Sequence, residues 1–448
     1  MASTKMTAAV ALAICAVAPT WTSAAAAELP ARAIASPAWV STQARLALSA
    51  ATEAATPQVW NFRARQRSSL EAAVAATLTK ATTTSPYLGK YLSGLVLDLE
   101  SGQTVWSYQA NVSRLPASSQ KVVTALTVLN STDTNSRLVT RVFQNNQAPD
   151  QLVLTSEGDP SLGATRLKEA ASSVAARLAE QGLTTVQLYV DSSYFPQPSA
   201  SYGWKSSYLG SEVQLVRGLA LAGYRGSDAS LAAGRVLAGY LKPLGITATL
   251  QGRQAVPADA RELASTSSAT IGQMVQRMLS ESNNDYAEFL LRHAAKARGA
   301  STTTNGVVSF LRQALADQGV PTSGFLGYDG SGLSRADRMP PQTLAAAVTK
   351  LYTNPDTRRI AFAMWAMPRA GQTGTLASRY KASAQQCAKG KVMAKTGTLS
   401  DVNALAGIAR GVDGRDRVFV FLDNGPTKTS SVRYALDTLA TTTVGCRL

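Results

Sequence analysis

Strand signals gather near the two ends of this chain with helical patterning between them, and that arrangement limits the folds open to it. Residues 95–98 and 104–107 read as two strands joined by the turn Glu100-Ser101-Gly102. After Pro116 the period changes, and Val122, Val123, Leu126 and Leu129 lie near one helical face. Helical patterning returns at 274–298 and 307–319. Strand candidates then occupy 392–398, 402–410 and 418–422, with Asp413-Gly414 supplying hairpin turn chemistry between the last two. Residues 430–443 read as a closing helix. A hairpin early, helices in the middle, then strands and a helix predict one sheet built from both ends of the chain. The fold class is α/β.

The 448 residues are about three times a usual domain length, and 45% are apolar, enough to bury a sizeable core. The stretch 156–264 differs in texture from its flanks. It opens on the turn-like Ser156-Glu-Gly-Asp-Pro160 and carries a helix candidate at 167–181 and a strand at 186–190. An aromatic and Pro-rich loop follows at 194–208, so this stretch reads as a smaller inserted α/β domain. The main domain is then discontinuous, 28–155 with 265–448, and 69–77 within it is helical in pattern. Residues 1–27 resemble a secretory signal: Lys5 gives the positive start, 8–18 the apolar stretch, and Ala25-Ala26-Ala27 the cleavage site. That stretch is too short to span a bilayer comfortably, and Ile14 before Cys15 does not fit a lipoprotein processing site. The expected location is periplasmic, extracellular or cell-wall associated.

One histidine and three cysteines narrow the chemistry. Zinc sites built from several His and Cys cannot be assembled from His293, Cys15, Cys387 and Cys446 with any established spacing, so no metal site is expected. A Ser-His-Asp triad would have to use His293, which sits inside a helical run as an ordinary packed histidine. Lys and Arg number 44 against 28 Asp and Glu, a net charge of +16. In an exported protein such charge suits an anionic wall polymer rather than nucleic acid, or is simply a solvated surface. With a signal removed, Cys387 and Cys446 remain, and an oxidising compartment permits a disulfide whose formation the sequence leaves open.

Three short motifs occur in an informative order: Ser118-Ser-Gln-Lys121 at a helix start, Ser282-Asn-Asn284 in the long helical region, and Lys395-Thr-Gly397 with Thr398 on a strand. A Ser and a Lys three residues on lie on one helical face within mutual reach. The helix start offers free N–H groups to a developing oxyanion. A Lys takes the Ser proton only if its pKa falls well below ~10.4, and burial plus a second cation, Lys395, push it that way. Ser282 is placed to relay a proton and Asn284 to hold a substrate amide. Lys395 with Thr396 and Thr398 suits a carboxylate, while Gly397 lets substrate approach the strand. A lone S-x-x-K is weak: Ser378-Arg-Tyr-Lys381 also matches, on the wrong side of Ser282. The ordered set is far more specific.

The flanks carry a family resemblance. Arg114-Leu-Pro-Ala-Ser-Ser-Gln-Lys121, Glu157-Gly-Asp-Pro-Ser-Leu162, Asp191-Ser-Ser-Tyr-Phe195, Asp329-Gly-Ser-Gly-Leu-Ser-Arg335 and Ala394-Lys-Thr-Gly-Thr-Leu399 are similar to the class C low-molecular-mass penicillin-binding proteins, D-alanyl-D-alanine carboxypeptidase/endopeptidases of peptidoglycan maturation. The resemblance runs from about Tyr91 to Tyr434. It implies a penicillin-binding, transpeptidase-like (serine β-lactamase-like) domain with an inserted smaller α/β domain, acting without metal or organic cofactor on peptidoglycan stem peptides. Ser118 would be the nucleophile, Lys121 the base, and Ser282 with Asn284 the relay. Lys395, Thr396, Gly397, Thr398 and Leu399 would bind the terminal carboxylate side, with Arg335 near the peptide stem. The Ser118 and Thr398 amides would form the oxyanion hole, β-lactams would acylate Ser118, and Asp329 would brace its turn.

The chain departs from the family pattern in two places. Only 164 positions separate Ser118 from Ser282, so one inserted domain or two trimmed ones is expected where the family usually carries two. Trp204 is followed by Lys205-Ser206-Ser207, where relatives reading a free amino group on the stem place acidic residues. Two rivals remain at this point. A serine β-lactamase shares the three motifs but needs a deacylating base, and no Glu-x-x-Leu-Asn-type element lies between the second and third motifs. A non-catalytic wall-binding or β-lactam-sensing protein has no need of a buried, pKa-shifted lysine.

Overall fold

The computed structural model describes residues 68–88, 91–425, 428–446 and 448; the expected signal segment 1–27 and the stretch 28–67 lie outside them. Helix α1 (Ser69–Thr84) starts on a capping box in which Ser68 and Glu71 satisfy each other's backbone N–H. Strands β1 (Leu92–Asp98) and β2 (Thr104–Tyr108) form the expected hairpin. A 3-10 turn (Ala117–Gln120) leads into α2 (Lys121–Ser131). Then come β3 (Arg137–Gln144), β4 (Gln151–Ser156), α3 (Ala164–Ala179), β5 (Thr185–Asp191), α4 (Ala229–Leu241), β6 (Thr247–Arg253) and β7 (Arg261–Thr270). Five helices follow: α5 (Ile271–Glu281), α6 (Asn284–Ala297), α7 (Thr304–Asp317), α8 (Pro341–Thr353) and α9 (Pro355–Ala361). The chain closes with β8 (Val392–Leu399), β9 (Val402–Arg410), β10 (Asp416–Asn424) and α10 (Thr429–Val444).

The first sheet has the order β2-β1-β10-β9-β8 and is antiparallel throughout, so both ends of the chain meet in it. Its faces are both covered. Along β10, Val418, Val420 and Leu422 point into a core shared with α2, α5, α6, α7 and α8, through Leu126, Met278, Leu290, Leu311 and Leu344. Phe419 and Phe421 alternate to the opposite face and meet Val74 and Leu78 of α1 and Leu436 and Leu439 of α10. Two-sided burial is why β10 reads as an unbroken apolar run rather than an alternating one.

The second sheet, β6-β5-β4-β3-β7, packs its core against α3 and α4. Here the expected insert boundaries need correction. The sheet begins at Arg137 and ends at Thr270, beyond both 156 and 264, because β3 pairs with β4 on one side and β7 on the other. One inserted sheet accounts for the shortened interval between Ser118 and Ser282. The second correction concerns 274–298, which is two helices. Ser282 ends α5 in the left-handed region at φ 60°, and Asn283 caps α6 by accepting from the Tyr286 N–H.

Cys387 and Cys446 are joined in a disulfide with a Cα–Cα distance of 6.2 Å, tying the segment before β8 to the end of α10. Among the described residues no helix is long and apolar enough to cross a membrane.

Candidate active site

Ser118 stands on a tight turn that the sequence makes room for. Ala117 before it has φ 46°, a costly conformation for a residue with a Cβ. Two glycines permit the close packing around this turn. A Cβ at position 332 would collide with the Ala117 carbonyl, and one at 397 would lie 2.6 Å from the Pro116 carbonyl.

The turn brings Ser118 Oγ to 3.0 Å from Lys121 Nζ. Lys121 is fully buried and also donates to Asn284 Oδ1 and to the Ser331 carbonyl, each at 2.7 Å. Burial pulls its pKa down to about 8, against the opposing pull of Asp329, Glu288, Asp285 and Glu212. A hydroxyl within hydrogen-bond reach of an amine whose pKa is lowered toward neutral pH has the geometry that a general-base pair needs. Across the cleft, Lys395 Nζ donates to Ser282 Oγ at 2.8 Å and to the Thr396 carbonyl at 2.9 Å. It too is fully buried, and its pKa falls well below the ordinary range, first through burial and then through the charge of Lys121. The left-handed backbone of Ser282 and the cap at Asn283 turn Ser282 and Asn284 into the same cleft.

That cleft encloses about 450 Å³ and includes Ser118, Ser282, Asn284, Thr398 and Leu399 in its wall. The remaining predicted residues are placed differently. Thr396 points its hydroxyl to 2.9 Å from that of Thr375. Arg335 is held at 2.7 Å by Asp401 Oδ2 in an ion pair. Asp329 accepts from the N–H groups of Gly332 and Ser334 and from Trp204 Nε1, so it does brace its turn. His293 donates to the Gly158 carbonyl at 3.0 Å, packs against Phe195, and is driven down to about 4 by burial, so it is a neutral packing residue.

Several neighbours of these residues escaped the sequence reading. Tyr208 and Glu212 from the insert line the cleft beside Lys205, and the Glu212 carbonyl accepts from Asn284 Nδ2. Asp285, next to the second motif, anchors this loop by accepting from the Gln214 N–H and pairing with Arg225 at 2.8 Å. An acidic residue directly after Ser-Asn-Asn was the available signal. Arg433 of α10 donates to Thr398 Oγ1 at 3.1 Å. Buried Glu288 accepts from the N–H groups of Gly330 and Ser331, while burial and Asp329 raise its pKa to about 7.

A family model described as D-Ala-D-Ala carboxypeptidase 3 (S13) matches residues 74–212 and 220–443. The chain is 30% identical over 397 residues to the carboxypeptidase DacB of Mycolicibacterium smegmatis, covering 83% of this chain and 84% of that one. It is likewise 30% identical over 380 residues to a carboxypeptidase of Mycobacterium tuberculosis, 80% of each chain. Penicillin-binding protein 4 of Haemophilus influenzae aligns with a TM-score of 0.67 at 21% identity, over 81% of this chain and 97% of that chain. The fold is therefore the expected penicillin-binding type with an additional inserted unit. Matched across both the shared sheet and the insert, the chain belongs to the D-Ala-D-Ala carboxypeptidase 3 (S13) family of serine peptidases.

Proposed function

We propose that this is an exported serine D,D-peptidase that cleaves the D-Ala-D-Ala bond of peptidoglycan stem peptides, and D,D-cross-links of the same chemistry, through an acyl-enzyme on Ser118. The observation that carries this reading is the 3.0 Å contact between Ser118 Oγ and the buried Lys121 Nζ. Neutral Lys121 takes the hydroxyl proton as Oγ adds to the carbonyl between the two D-alanines. The amides of Ser118 and Thr398 are assigned to the oxyanion. The proton on Lys121 is relayed through the hydroxyl of Ser282, itself held by Lys395, to the departing D-alanine nitrogen; the C–N bond breaks and Lys121 is neutral again. Water then adds to the ester, and its proton returns through Lys121 to Ser118 as the shortened peptide leaves. The side chains of Thr398 and Arg433 face the substrate carboxylate, while Asn284 holds a substrate amide.

A β-lactam would follow the first half of this path and stay attached. The Haemophilus influenzae protein of the same fold has been solved in complex with a β-lactam, which supports that expectation. Export is supported by the Cys387–Cys446 disulfide, a bond that persists in oxidising compartments.

Intact-mass spectrometry after incubation with benzylpenicillin tests the reading. A lasting one-to-one adduct mapped to Ser118, absent in Ser118→Ala, is the expected result. Fast antibiotic turnover without a lasting adduct would place the chain with β-lactamases. No adduct and no turnover would leave a wall-binding protein.

A further inference from the structure

A second cavity, larger than the catalytic cleft, encloses about 720 Å³ at the other end of β8. Five cationic side chains line it: Arg358, Arg359, Arg369, Lys391 and Arg410. Asp416 is the carboxylate of its wall, and it is engaged: Arg410 Nη1 and the Tyr352 hydroxyl both donate to its Oδ2 at 2.9 Å. Arg359 pairs with the exposed Asp356 at 3.5 Å. Among the described residues no carboxylate pairs with Arg358, Arg369 or Lys391, and Arg369 Nε is buried without an acceptor.

Two of these cations, Arg358 and Arg369, are held in place. The Arg358 guanidinium lies 4.0 Å above the Tyr352 ring and donates to its hydroxyl at 3.0 Å. Arg369 is fixed through a bridge of its backbone to Met393 on β8 and a side-chain bond to the Phe362 carbonyl. Gathering unpaired like charges around one hollow is unfavourable unless an anion neutralises them. Planar guanidinium forks suit phosphate oxygens in particular. The cavity lies in the size range of a ligand site. Directly after Ala363 of the cavity wall, Met364 and Trp365 stand 58% and 72% exposed. An apolar rim beside a cationic hollow suits a ligand whose charges are spaced by uncharged segments.

We propose that this cavity binds the phosphate groups of a linear anionic polymer. Met393 in its wall and Thr398 in the cleft are five residues apart on one strand, about 16 Å. A polymer held there would keep the enzyme beside the polyanionic material in which its substrate is embedded. The inference stands independently of how the catalytic site is read.

Titration calorimetry on the full chain at low salt tests it, with tripolyphosphate and poly(glycerol phosphate) as probes. The expected result is saturable one-to-one binding of tripolyphosphate, weakened as salt rises. The double variant R358Q/K391Q should lose at least tenfold in affinity for both probes and keep its rate of penicillin acylation. The double variant K80Q/K381Q, which removes the same charge from other exposed sites, should bind as the parent does. Equal loss in both variants would reduce the effect to net charge and overturn the proposal. So would equally tight binding of polyglutamate, or binding seen only with phosphatidylglycerol vesicles, which would make the ligand a membrane. If R358Q/K391Q disturbs the fold, K391Q alone, changed on a strand flank, must still weaken binding.

Discussion

Glu288 acts on Lys121 without touching it: its Oε1 accepts from the Ser331 N–H at 2.8 Å, and the Ser331 carbonyl accepts from Lys121 Nζ at 2.7 Å. The carboxylate thus fixes the strip of backbone that holds Lys121. It also raises the proton affinity of Lys121 through space. The rate of acylation should rise as pH climbs through about 8, where Lys121 loses its proton. In Glu288→Gln the amide oxygen can still accept from Ser331, but the charge is gone. The midpoint of the acylation profile should then move to lower pH, with the plateau rate changed by less than about tenfold. Stopped-flow acylation by a chromogenic cephalosporin across pH 6–10 reads this. An unmoved midpoint would show that Glu288 serves the fold alone.

The same carboxyl makes a separate prediction for stability. Its folded pKa, about 7, lies above the ordinary 4.5, so the folded chain keeps a proton that the unfolded chain has released. Its contribution is fully present below pH 4.5 and is lost as pH rises through 7. Lys121 runs the other way: its folded pKa is depressed, so its contribution improves as pH rises from about 8 toward 10.5. Between pH 5 and 8 the melting temperature of Glu288→Gln should therefore gain on the parent. Melting curves at fixed ionic strength would show a constant gap if Glu288 did not titrate in this window.

These couplings pass through backbone groups, which is why the sequence hid them. Ser118, Lys121, Ser282, Asn284 and Lys395 were legible because side-chain chemistry at motif spacing marks them, and the structure gathers all five at one cleft. The closing strands were legible too, since two-sided burial leaves continuous apolar runs such as that of β10. The insert was not. Strand β7 (Arg261–Thr270) holds Ser, Thr and Ala at most positions and is a strand because β3 offers it hydrogen bonds. The break at Ser282 was masked by apolar periodicity on both sides, with only the capping residue Asn283 to signal it. For Thr396 and Arg335, neighbours distant in sequence, Thr375 and Asp401, decide where the side chains go.

The disulfide should carry measurable stability. It closes a loop of 59 positions, which in the chain-entropy view contributes about 4 kcal/mol. The loop includes β8 to β10, so an open bond loosens α10 from the segment before β8. Cys387→Ala with Cys446→Ala should lower the urea midpoint and leave the acylation rate at 25 °C within about twofold of the parent. An unchanged midpoint would mean the two cysteines are not paired in the purified protein.

Arg433 offers the sharpest test of substrate orientation. Its guanidinium donates to Thr398 Oγ1 at 3.1 Å from a helix that carries none of the three sequence motifs. No described carboxylate forms an ion pair with it, and its backbone carbonyl is occupied by Arg379. A cation held against the hydroxyl at the cleft edge favours a substrate that ends in a carboxylate. Arg433→Ala should raise KM for a D-Ala-D-Ala peptide about tenfold, in line with the loss of one charge-assisted hydrogen bond, with a smaller change in kcat. A substrate whose terminal carboxylate is amidated should be nearly indifferent to the change. Equal losses on both substrates would show that Arg433 merely supports Thr398, and Arg433→Lys would then restore neither.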